Sequence, residues 1–252
     1  MKQSAEFKRI WKAEEERVLQ GWDFSCLDVR CESTPLPWDY REQVSAHLRP
    51  GSRLLDIATG GGEFLLSLGH PPRLTAVTED YPPNAALCRE RLVPLGITVS
   101  QTLDGGRLPF GDGSLDVVIN RHGSFRAEEV FRVLSAGGVF ITQQAGSENN
   151  RELSARLIKG FTPPFPDHNL EGCLDGLQQA GFTELQGEEA FPALRFYDVG
   201  ALVCFAKAIV WEFPGFSVER DFGRLCACQE ELERNGFLQS REHRFLILAK
   251  KL

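Results

Sequence analysis

The feature that most constrains this chain is an apolar run that ends in three consecutive glycines. Residues 54–64 read Leu-Leu-Asp-Ile-Ala-Thr-Gly-Gly-Gly-Glu-Phe. The apolar residues predict a buried strand. Glycine has no Cβ and tolerates positive φ, so the glycines predict a tight turn where a nucleotide can lie against main-chain atoms before a helix begins. Ala58 stands where the dinucleotide fingerprint G-x-G-x-x-G has its first glycine. A plain chain reversal is the alternative interpretation.

A second acidic position supports the nucleotide interpretation. Residues 73–78 predict the next strand, and Glu79 and Asp80 follow it before a Pro-Pro turn. Glu79 lies 23 residues after Asp56, a spacing that in a βαβ unit places a carboxylate at the tip of the neighbouring strand, within reach of ribose hydroxyls. We favour Glu79 over Asp80 because it directly follows the apolar run. The alternative is two exposed acids before a turn.

Composition limits the classes of protein that fit. The 252 residues are 42% hydrophobic and 25% charged, which suits one sizeable α/β domain with insertions. A net charge of -7 disfavours a nucleic-acid partner. Seven cysteines without a C-x-x-C pair predict reduced thiols. The N-terminus lacks a signal-peptide core, and the longest apolar stretch, residues 200–211, is too short for a bilayer. We therefore expect a cytoplasmic protein with no membrane partner.

The segments outside the glycine motif predict an arm and an insertion. Residues 5–20 have the pattern of an amphipathic helix, and residues 22–40 are rich in aromatic residues and turns. Such a segment either anchors an arm or forms a lid, with Trp38 or Tyr40 lining a substrate pocket. The predicted domains are an N-terminal helical and aromatic arm (1–45), a core (46–187 plus 241–252) and a helical, aromatic insertion (188–240) that we expect to cap the substrate.

Three further motifs follow in order. Residues 98–103 predict a third strand, which ends in Asp104-Gly105-Gly106. Residues 108–120 contain Leu-Pro-Phe, a turn, and an acid that leads a β-branched strand, and residues 129–141 carry Glu-x-x-Arg-Val-Leu followed by a Gly-Gly turn. Together with the glycine turn and the acid at 79, residues 53–145 resemble the core of class I S-adenosylmethionine-dependent methyltransferases, of the type 11 small-molecule group. Ala58 and Ser135-Ala136 depart from the usual family pattern.

This resemblance implies a fold, a cofactor and a set of site residues. The fold is α/β, a Rossmann-like sheet of seven mostly parallel strands with helices on both faces and an antiparallel last strand. The cofactor is S-adenosyl-L-methionine. The residues implied to hold its amino acid half are Asp56, Ala58, Thr59, Gly60 and Gly62. Glu79 or Asp80 is implied to hold the ribose. Asp104 and Gly105 are implied to contact the adenine, and Asn120 and Arg121 to border the methyl donor.

The acceptor side carries fewer signals. Methyl transfer mainly requires alignment, and a base is needed only when the nucleophile arrives protonated. His122 follows the fourth strand at the edge where ligands bind in open α/β sheets, so it is the first candidate for a base or a substrate contact. A packing role is the alternative. Tyr197 is a weaker candidate for the substrate pocket, as is His168. Gln143 and Gln144 stand where metal-binding acids would help, so we predict a metal-independent enzyme.

The sequence is compatible with three functions. The first is a methyltransferase acting on an oxygen, nitrogen or carbon of a small organic molecule. The second is an RNA methyltransferase, which needs a stripe of basic residues on its surface. The residues available for such a stripe are Arg121, Arg126, Arg132, Arg151, Arg156 and Lys159. The third is a non-catalytic protein that binds the cofactor and acts through protein contacts.

Overall fold

The structure is a computed structural model that describes residues 2–18, 24–102 and 106–252. The α-helices are α1 (Lys2–Glu15), α2 (Tyr40–His47), α3 (Glu63–Ser67), α4 (Pro82–Leu92), α5 (Ala127–Val133), α6 (Arg151–Leu157), α7 (Leu170–Gln179), α8 (Val199–Ala208) and α9 (Val218–Asn235). Short 3-10 helices cover Ser25–Leu27, Pro72–Leu74 and Val93–Leu95. Within the described ranges, no helix combines the length and the apolar character needed to cross a bilayer.

The strands fall into two sheets. They are β1 (Cys31–Ser33), β2 (Leu54–Ile57), β3 (Thr75–Glu79), β4 (Thr98–Gln101), β5 (Leu115–Arg121), β6 (Leu134–Ala145), β7 (Glu184–Ala190), β8 (Ala193–Phe196), β9 (Leu238–Arg241) and β10 (Arg244–Lys250). The chain divides into two compact units, and each sheet lies in one of them. We call residues 37–146, 168–189 and 244–252 the sheet unit, and residues 1–36, 147–167 and 190–243 the helical unit.

The sheet unit has the architecture that the sequence predicts. Its seven strands follow the order β4-β3-β2-β5-β6-β10-β7. The pairs from β4 to β6 are parallel, and β10 runs antiparallel to β6. Every residue of β2 is buried and β5 is nearly so, as expected for parallel strands covered on both faces. The predicted fold class is therefore confirmed.

The strand order places a binding crevice at one edge of this sheet. Chain order reverses between β2 and β5, which are neighbours although β3 and β4 lie between them in sequence. In open α/β sheets, ligands bind outside the carboxyl ends of the strands at such a reversal. The candidate site is therefore formed by residues 58–62, which follow β2, and residues 121–126, which begin at the last residue of β5.

The helical unit is built around α8. This helix is buried from Val199 to Ala206, so it is apolar on all sides and occupies the centre of its unit. Asp198 caps it by accepting from the backbone N–H of Ala201 at 2.8 Å. Arg30 pairs with the same carboxylate through both Nε and Nη2, at 2.8 and 2.6 Å. These contacts tie the segment before β1 to the central helix.

The composition of the helical unit differs from the predicted domains. Residues 188–240 contain β8 and β9 as well as two helices, and β8 pairs with β1 on one side and β9 on the other. Residues 147–167, predicted as core, also belong here, because Leu153 and Leu157 of α6 pack with Leu225 of α9 in the apolar cluster of this unit. The predicted insertion and the predicted arm thus share one sheet.

A disulfide in the helical unit contradicts the prediction that the cysteines are reduced thiols. Cys26 and Cys204 form a disulfide across 178 residues of sequence. Cys204 lies in the buried face of α8. Spacing along the chain cannot reveal such a pairing, because it depends on which distant segments the fold brings together. Cys31, Cys88, Cys173, Cys226 and Cys228 are free thiols.

Candidate active site

The glycine turn after β2 uses the left-handed backbone at every second residue. Ala58, Gly60 and Gly62 have φ values of 56°, 66° and 80°. A Cβ on Gly62 would lie 3.0 Å from Cδ2 of Leu92, so only glycine fits there without displacement. Ala58 adopts the same conformation with a side chain, which is uncommon for any residue except glycine. The glycine that the family usually has at position 58 is thus explained by this positive φ. Alanine in its place costs some backbone strain.

Glu79 fastens the glycine turn to the end of β3. Its side chain is only 3% exposed. One carboxylate oxygen accepts from the backbone N–H of Gly60 at 2.8 Å, and the other accepts from those of Asp80 and Tyr81, both at 3.1 Å. Burial raises the pKa of this carboxyl group, while the N–H donors of Tyr81 and Gly60 act against that rise. A carboxylate can accept about four hydrogen bonds, so Glu79 retains capacity for a ligand.

Asp80, the alternative ribose residue, lines a small cavity beside the glycine turn. The cavity wall is apolar on one part and polar on another. Its lining residues are Ile57, Ala58, Thr78, Asp80, Thr102, Leu108, Ser124, Phe125, Arg126 and Glu129. Apolar walls with a few polar groups are typical of small-molecule binding sites. Asp104 and Gly105, predicted to contact adenine, lie outside the described residues, and Thr102 is the last described residue before them.

Asp56 is buried beneath the turn, with 4% of its surface exposed. Its carboxylate accepts from Oγ1 of Thr59 at 2.6 Å. Burial raises the pKa of Asp56 to about 7; the Thr59 hydroxyl and Arg121 oppose this rise, and Glu79 adds to it. Arg121 is exposed, and its guanidinium lies 4.8 Å from the ring centroid of Phe64. A cationic ligand group near Asp56 would favour the ionised carboxylate.

Asn120 is placed differently from its predicted role at the methyl donor. The side chain is fully buried and does not line the cavity. Its Nδ2 donates to the carbonyl of Ile57 at 2.9 Å, and its Oδ1 accepts from Thr142 Oγ1 at 3.1 Å and Gln144 Nε2 at 2.6 Å. The amide therefore joins β2, β5 and β6 at their carboxyl ends. It supports the site from below the surface.

Tyr40 and Trp38, predicted for the substrate pocket, are buried in the sheet unit. The Tyr40 hydroxyl points at the carbonyl oxygens of Asn120 and Ile141, at 3.0 and 3.2 Å. Nε1 of Trp38 donates to Oε1 of Gln143 at 2.8 Å. Neither aromatic ring lines the cavity beside the glycine turn. Their polar atoms fasten the start of α2 to strands β5 and β6.

A further residue predicted for the substrate pocket belongs to the helical unit. Tyr197 lies just after β8 in the helical unit, is 40% exposed, and donates its hydroxyl to Oε2 of Glu32 at 2.6 Å. Across the part of the chain that the structure describes, His, Cys, Asp and Glu do not gather in threes as a metal site requires.

His122 occupies a strained position directly after β5. Its φ is 61°, and strained backbone in non-glycine residues is concentrated at functional sites. The backbone N–H of His122 donates to the carbonyl of Gln143 at 2.8 Å, and its Nε2 lies 3.2 Å from Nε2 of Gln143. His122 is exposed at the surface. Desolvation of the ring by neighbouring protein atoms, and then the charges of Arg244 and Arg121, lower the pKa of the imidazole.

Several cavity residues were not predicted from the sequence. Ser124, Phe125 and Arg126 follow His122 and line the cavity. Their position just after β5 could have predicted them, because ligands bind at the carboxyl ends of strands where the strand order of the sheet reverses.

Comparison with known proteins identifies the sheet unit. The family described as methyltransferase domain matches residues 55–142, which run from β2 through the glycine turn, the cavity and β5 to β6. Residues 55–142 belong to the methyltransferase domain family. The predicted family resemblance is thereby confirmed, and with it S-adenosyl-L-methionine as the cofactor of this kind of domain. A comparison with curated proteins finds no significant match.

Solved structures share the fold of this methyltransferase domain. A candidate methyltransferase from Bacillus halodurans is 18% identical with a TM-score of 0.54, covering 84% of this chain and 96% of that one. A functionally unknown protein from Deinococcus radiodurans is 17% identical with a TM-score of 0.60, covering 88% and 91%. Phosphoethanolamine N-methyltransferase 2 of Haemonchus contortus, solved with S-adenosyl-L-methionine, is 16% identical with a TM-score of 0.53, covering 85% and 52%. At these identities the likeness concerns the fold.

Proposed function

We propose that this protein is an S-adenosyl-L-methionine-dependent methyltransferase that transfers a methyl group to a small organic molecule without a metal ion. The observation that carries the proposal is the cavity at the carboxyl ends of β2 and β3, next to a turn of three left-handed residues. The bound cofactor supplies a methyl group activated by a sulfonium. The chain supplies binding, alignment and exclusion of water.

The cavity offers groups that suit the adenine and the ribose of the cofactor. Leu108 and Phe125 give the apolar walls for adenine, beside polar Thr102. Glu79 holds Gly60 in place and has capacity left for ribose hydroxyls, while Asp80 lies at the cavity. Both acids are therefore candidates for the ribose, and Glu79 is our choice because it is already fixed against the turn.

The amino acid half of the cofactor fits the other side of the turn. Its ammonium group is a suitable partner for Asp56, because a nearby cation offsets the burial that keeps this carboxyl group partly protonated. Its carboxylate fits Arg121, whose guanidinium is exposed over the ring of Phe64. The donor site thus offers charges of the signs that the cofactor requires.

The charges on the surface favour a small molecule over RNA as acceptor. Three of the six basic residues considered for an RNA-binding stripe are engaged in ion pairs: Arg132 with Asp112 and Glu129, Arg151 with Glu148, and Arg156 with Glu231. Such pairs lower the net positive field that attracts a phosphate backbone. The methyltransferase from Haemonchus contortus acts, by its name, on phosphoethanolamine, a small molecule.

A matched pair of variants tests the cofactor site. Titration calorimetry with S-adenosylhomocysteine is compared for the wild type, Glu79→Gln and Asp80→Asn. Glu79→Gln keeps the size of the side chain but turns an amide N–H donor toward backbone N–H donors. We therefore expect this variant to lose about 1–3 kcal/mol of binding free energy for S-adenosylhomocysteine. Asp80→Asn should lose less of this binding free energy. The reverse order would move the ribose to Asp80, and a wild type that does not bind S-adenosylhomocysteine would refute the proposal.

Turnover separates the remaining alternatives. Release of S-adenosylhomocysteine is measured with a panel of small metabolites and, separately, with total RNA as methyl acceptor. Methylation of a metabolite that persists after EDTA treatment is the expected result. Turnover with RNA alone would favour the RNA enzyme, and cofactor binding without turnover on either set would favour a non-catalytic binding protein.

A further inference from the structure

Three side chains form a hydrogen-bonded chain across the carboxyl ends of β5 and β6. Trp38 Nε1 lies 2.8 Å from Gln143 Oε1, and Gln143 Nε2 lies 3.2 Å from His122 Nε2. Trp38 is 8% exposed and Gln143 is 7% exposed. The chain therefore runs from a buried indole through a buried amide to an imidazole at the surface.

The direction of each hydrogen bond follows from the chemistry of the first member. An indole nitrogen can only donate, so the amide oxygen of Gln143 must face Trp38. The NH2 group of Gln143 then faces His122, and a ring nitrogen that receives a donor must be unprotonated. Nε2 of His122 is thus the acceptor. In the neutral imidazole the proton lies on the other nitrogen, Nδ1.

The chain also disfavours the doubly protonated ring. An imidazolium carries protons on both nitrogens, so its Nε2–H would face the NH2 group of Gln143, donor against donor. If the amide of Gln143 turned over, its NH2 group would face the N–H of Trp38, and two donors would again oppose each other. Desolvation of the same ring is the larger cause of the lowered pKa of His122, and the positive charges of Arg244 and Arg121 lower it further. Amide geometry and charge act in the same direction.

The backbone holds His122 in place for this arrangement. Its left-handed φ of 61° is one that a free chain rarely adopts for a residue other than glycine. The backbone N–H of His122 donates to the carbonyl of Gln143, so the same residue binds both the main chain and the ring. Gly123 follows, and a Cβ there would lie 2.3 Å from the Cβ of Ala58. The imidazole is therefore carried by a loop that packs directly on the glycine turn.

We infer that Gln143, oriented by Trp38, fixes His122 as a neutral hydrogen-bond donor at Nδ1, which excludes His122 as the general base. This inference rests on the proposed function and on the sequence-based prediction that His122 contacts the acceptor. Gln143 and Trp38 are positioning residues in it. The methyl acceptor that suits such a site has a lone pair that needs no base to free it, and an oxygen or nitrogen that accepts a hydrogen bond from Nδ1–H. A carboxylate meets both conditions, because it is ionised at neutral pH.

The test reads the tautomer directly and needs neither cofactor nor substrate. Protein labelled with nitrogen-15 histidine gives long-range proton–nitrogen correlations that distinguish a ring protonated at Nδ1 from one protonated at Nε2. His122→Gln identifies the signals of His122 among the five histidines. Two other histidines serve as internal references. His47 Nδ1 lies 2.9 Å from the carbonyl of Gln43, and His70 Nε2 lies 2.8 Å from that of Ser52, so their neutral rings carry the proton on Nδ1 and Nε2 respectively.

In the wild type near neutral pH, His122 should show the pattern of His47. Gln143→Glu replaces the donor with a carboxylate acceptor, which should move a proton onto Nε2 and raise the pKa of His122 in an NMR titration. Trp38→Phe frees the amide to turn over and should give a mixture of the two tautomers. Unchanged signals of His47 and His70 in each variant show that the sheet unit is folded.

Two outcomes would overturn the inference. One is a wild-type His122 that is an imidazolium or carries its only proton on Nε2. The other is a Gln143→Glu variant whose His122 keeps both the wild-type tautomer and the wild-type titration. Failure of the proposed function is recognised separately, because it appears as absent binding of S-adenosylhomocysteine while the tautomer is measured without any ligand.

Discussion

The contact between Gly123 and Ala58 predicts a specific coupling between two loops of the methyltransferase domain. Gly123→Ala would place a Cβ 2.3 Å from the Cβ of Ala58, 3.0 Å from Nδ2 of Asn120 and 3.7 Å from Cα of Ala58. The first distance is far inside van der Waals contact, and neither Cβ can rotate away. Because the obstacle is mainly one methyl group, the second substitution Ala58→Gly should remove most of it.

The expected magnitude for each variant follows from two opposing terms. Overpacking in Gly123→Ala costs about 1–3 kcal/mol, and the stiffer unfolded chain offsets about 0.4–1 kcal/mol of that. In Ala58→Gly, relief of the left-handed φ of 56° is worth about 1–2 kcal/mol, and the more flexible unfolded chain removes about 0.4–1 kcal/mol. Gly123→Ala alone should therefore lower the free energy of unfolding by up to about 2.6 kcal/mol, and Ala58→Gly alone should raise it by at most about 1.6 kcal/mol.

The assay is a double-mutant cycle from equilibrium urea denaturation, with the denaturant slope checked for each variant. We expect the double variant to be more stable than the sum of the single changes by about 1–2 kcal/mol. Gly51→Ala is the matched control, since a Cβ there would have no heavy atom within 4 Å. A coupling below about 0.5 kcal/mol, the range for independent sites, would show that the two loops do not pack as described.

The remaining predictions concern Asp56 and the disulfide. The pKa of Asp56 is raised to about 7 in the folded protein, so the folded state binds this proton more tightly than the unfolded state. Stability should fall as pH rises from about 4 to about 7, by up to about 4 kcal/mol at 1.36 kcal/mol per unit. Asp56→Asn should lack this fall, measured as the difference between denaturation curves of wild type and variant across pH; parallel curves would contradict it. Cys204→Ser should destabilise the protein by about 2–4 kcal/mol in non-reducing buffer, whereas Cys173→Ser, which removes a free thiol, should change it far less. Wild type that alkylates at all seven cysteines without reductant would contradict the Cys26–Cys204 pairing.

The sheet and the glycine turn could be predicted because their signals are local. The apolar run of β2, the glycines after it and Glu79 at the next strand end lie within 26 residues of one another, and each has a direct physical reason in the turn that they build. The antiparallel last strand followed from the family resemblance. Residues 121–126 were only partly predicted, because the strand order that brings them to the glycine turn is not written in their own pattern.

Other features could not be predicted because they depend on partners far away in sequence. The sequence predicted Asn120 to border the methyl donor, yet β2 and β6 flank β5, and the amide of Asn120 is hydrogen-bonded to Ile57, Thr142 and Gln144 of those strands. The disulfide is a similar case, since it joins residues 178 positions apart. An apolar–polar pattern predicts which face of a helix or strand is buried, but it does not predict which side chains will bond to each other.

The position of β10 in the sheet has a consequence for how the domain folds. β10 lies between β6 and β7, although it comes later in the chain than every other strand of that sheet. Until residues 244–250 are in place, β6 is an open edge and β7 has no neighbour through which to join the sheet. An open edge of this kind readily pairs with another chain. A nascent chain therefore carries the glycine turn before its sheet is complete, and the open edge of β6 is exposed to misassembly in that interval.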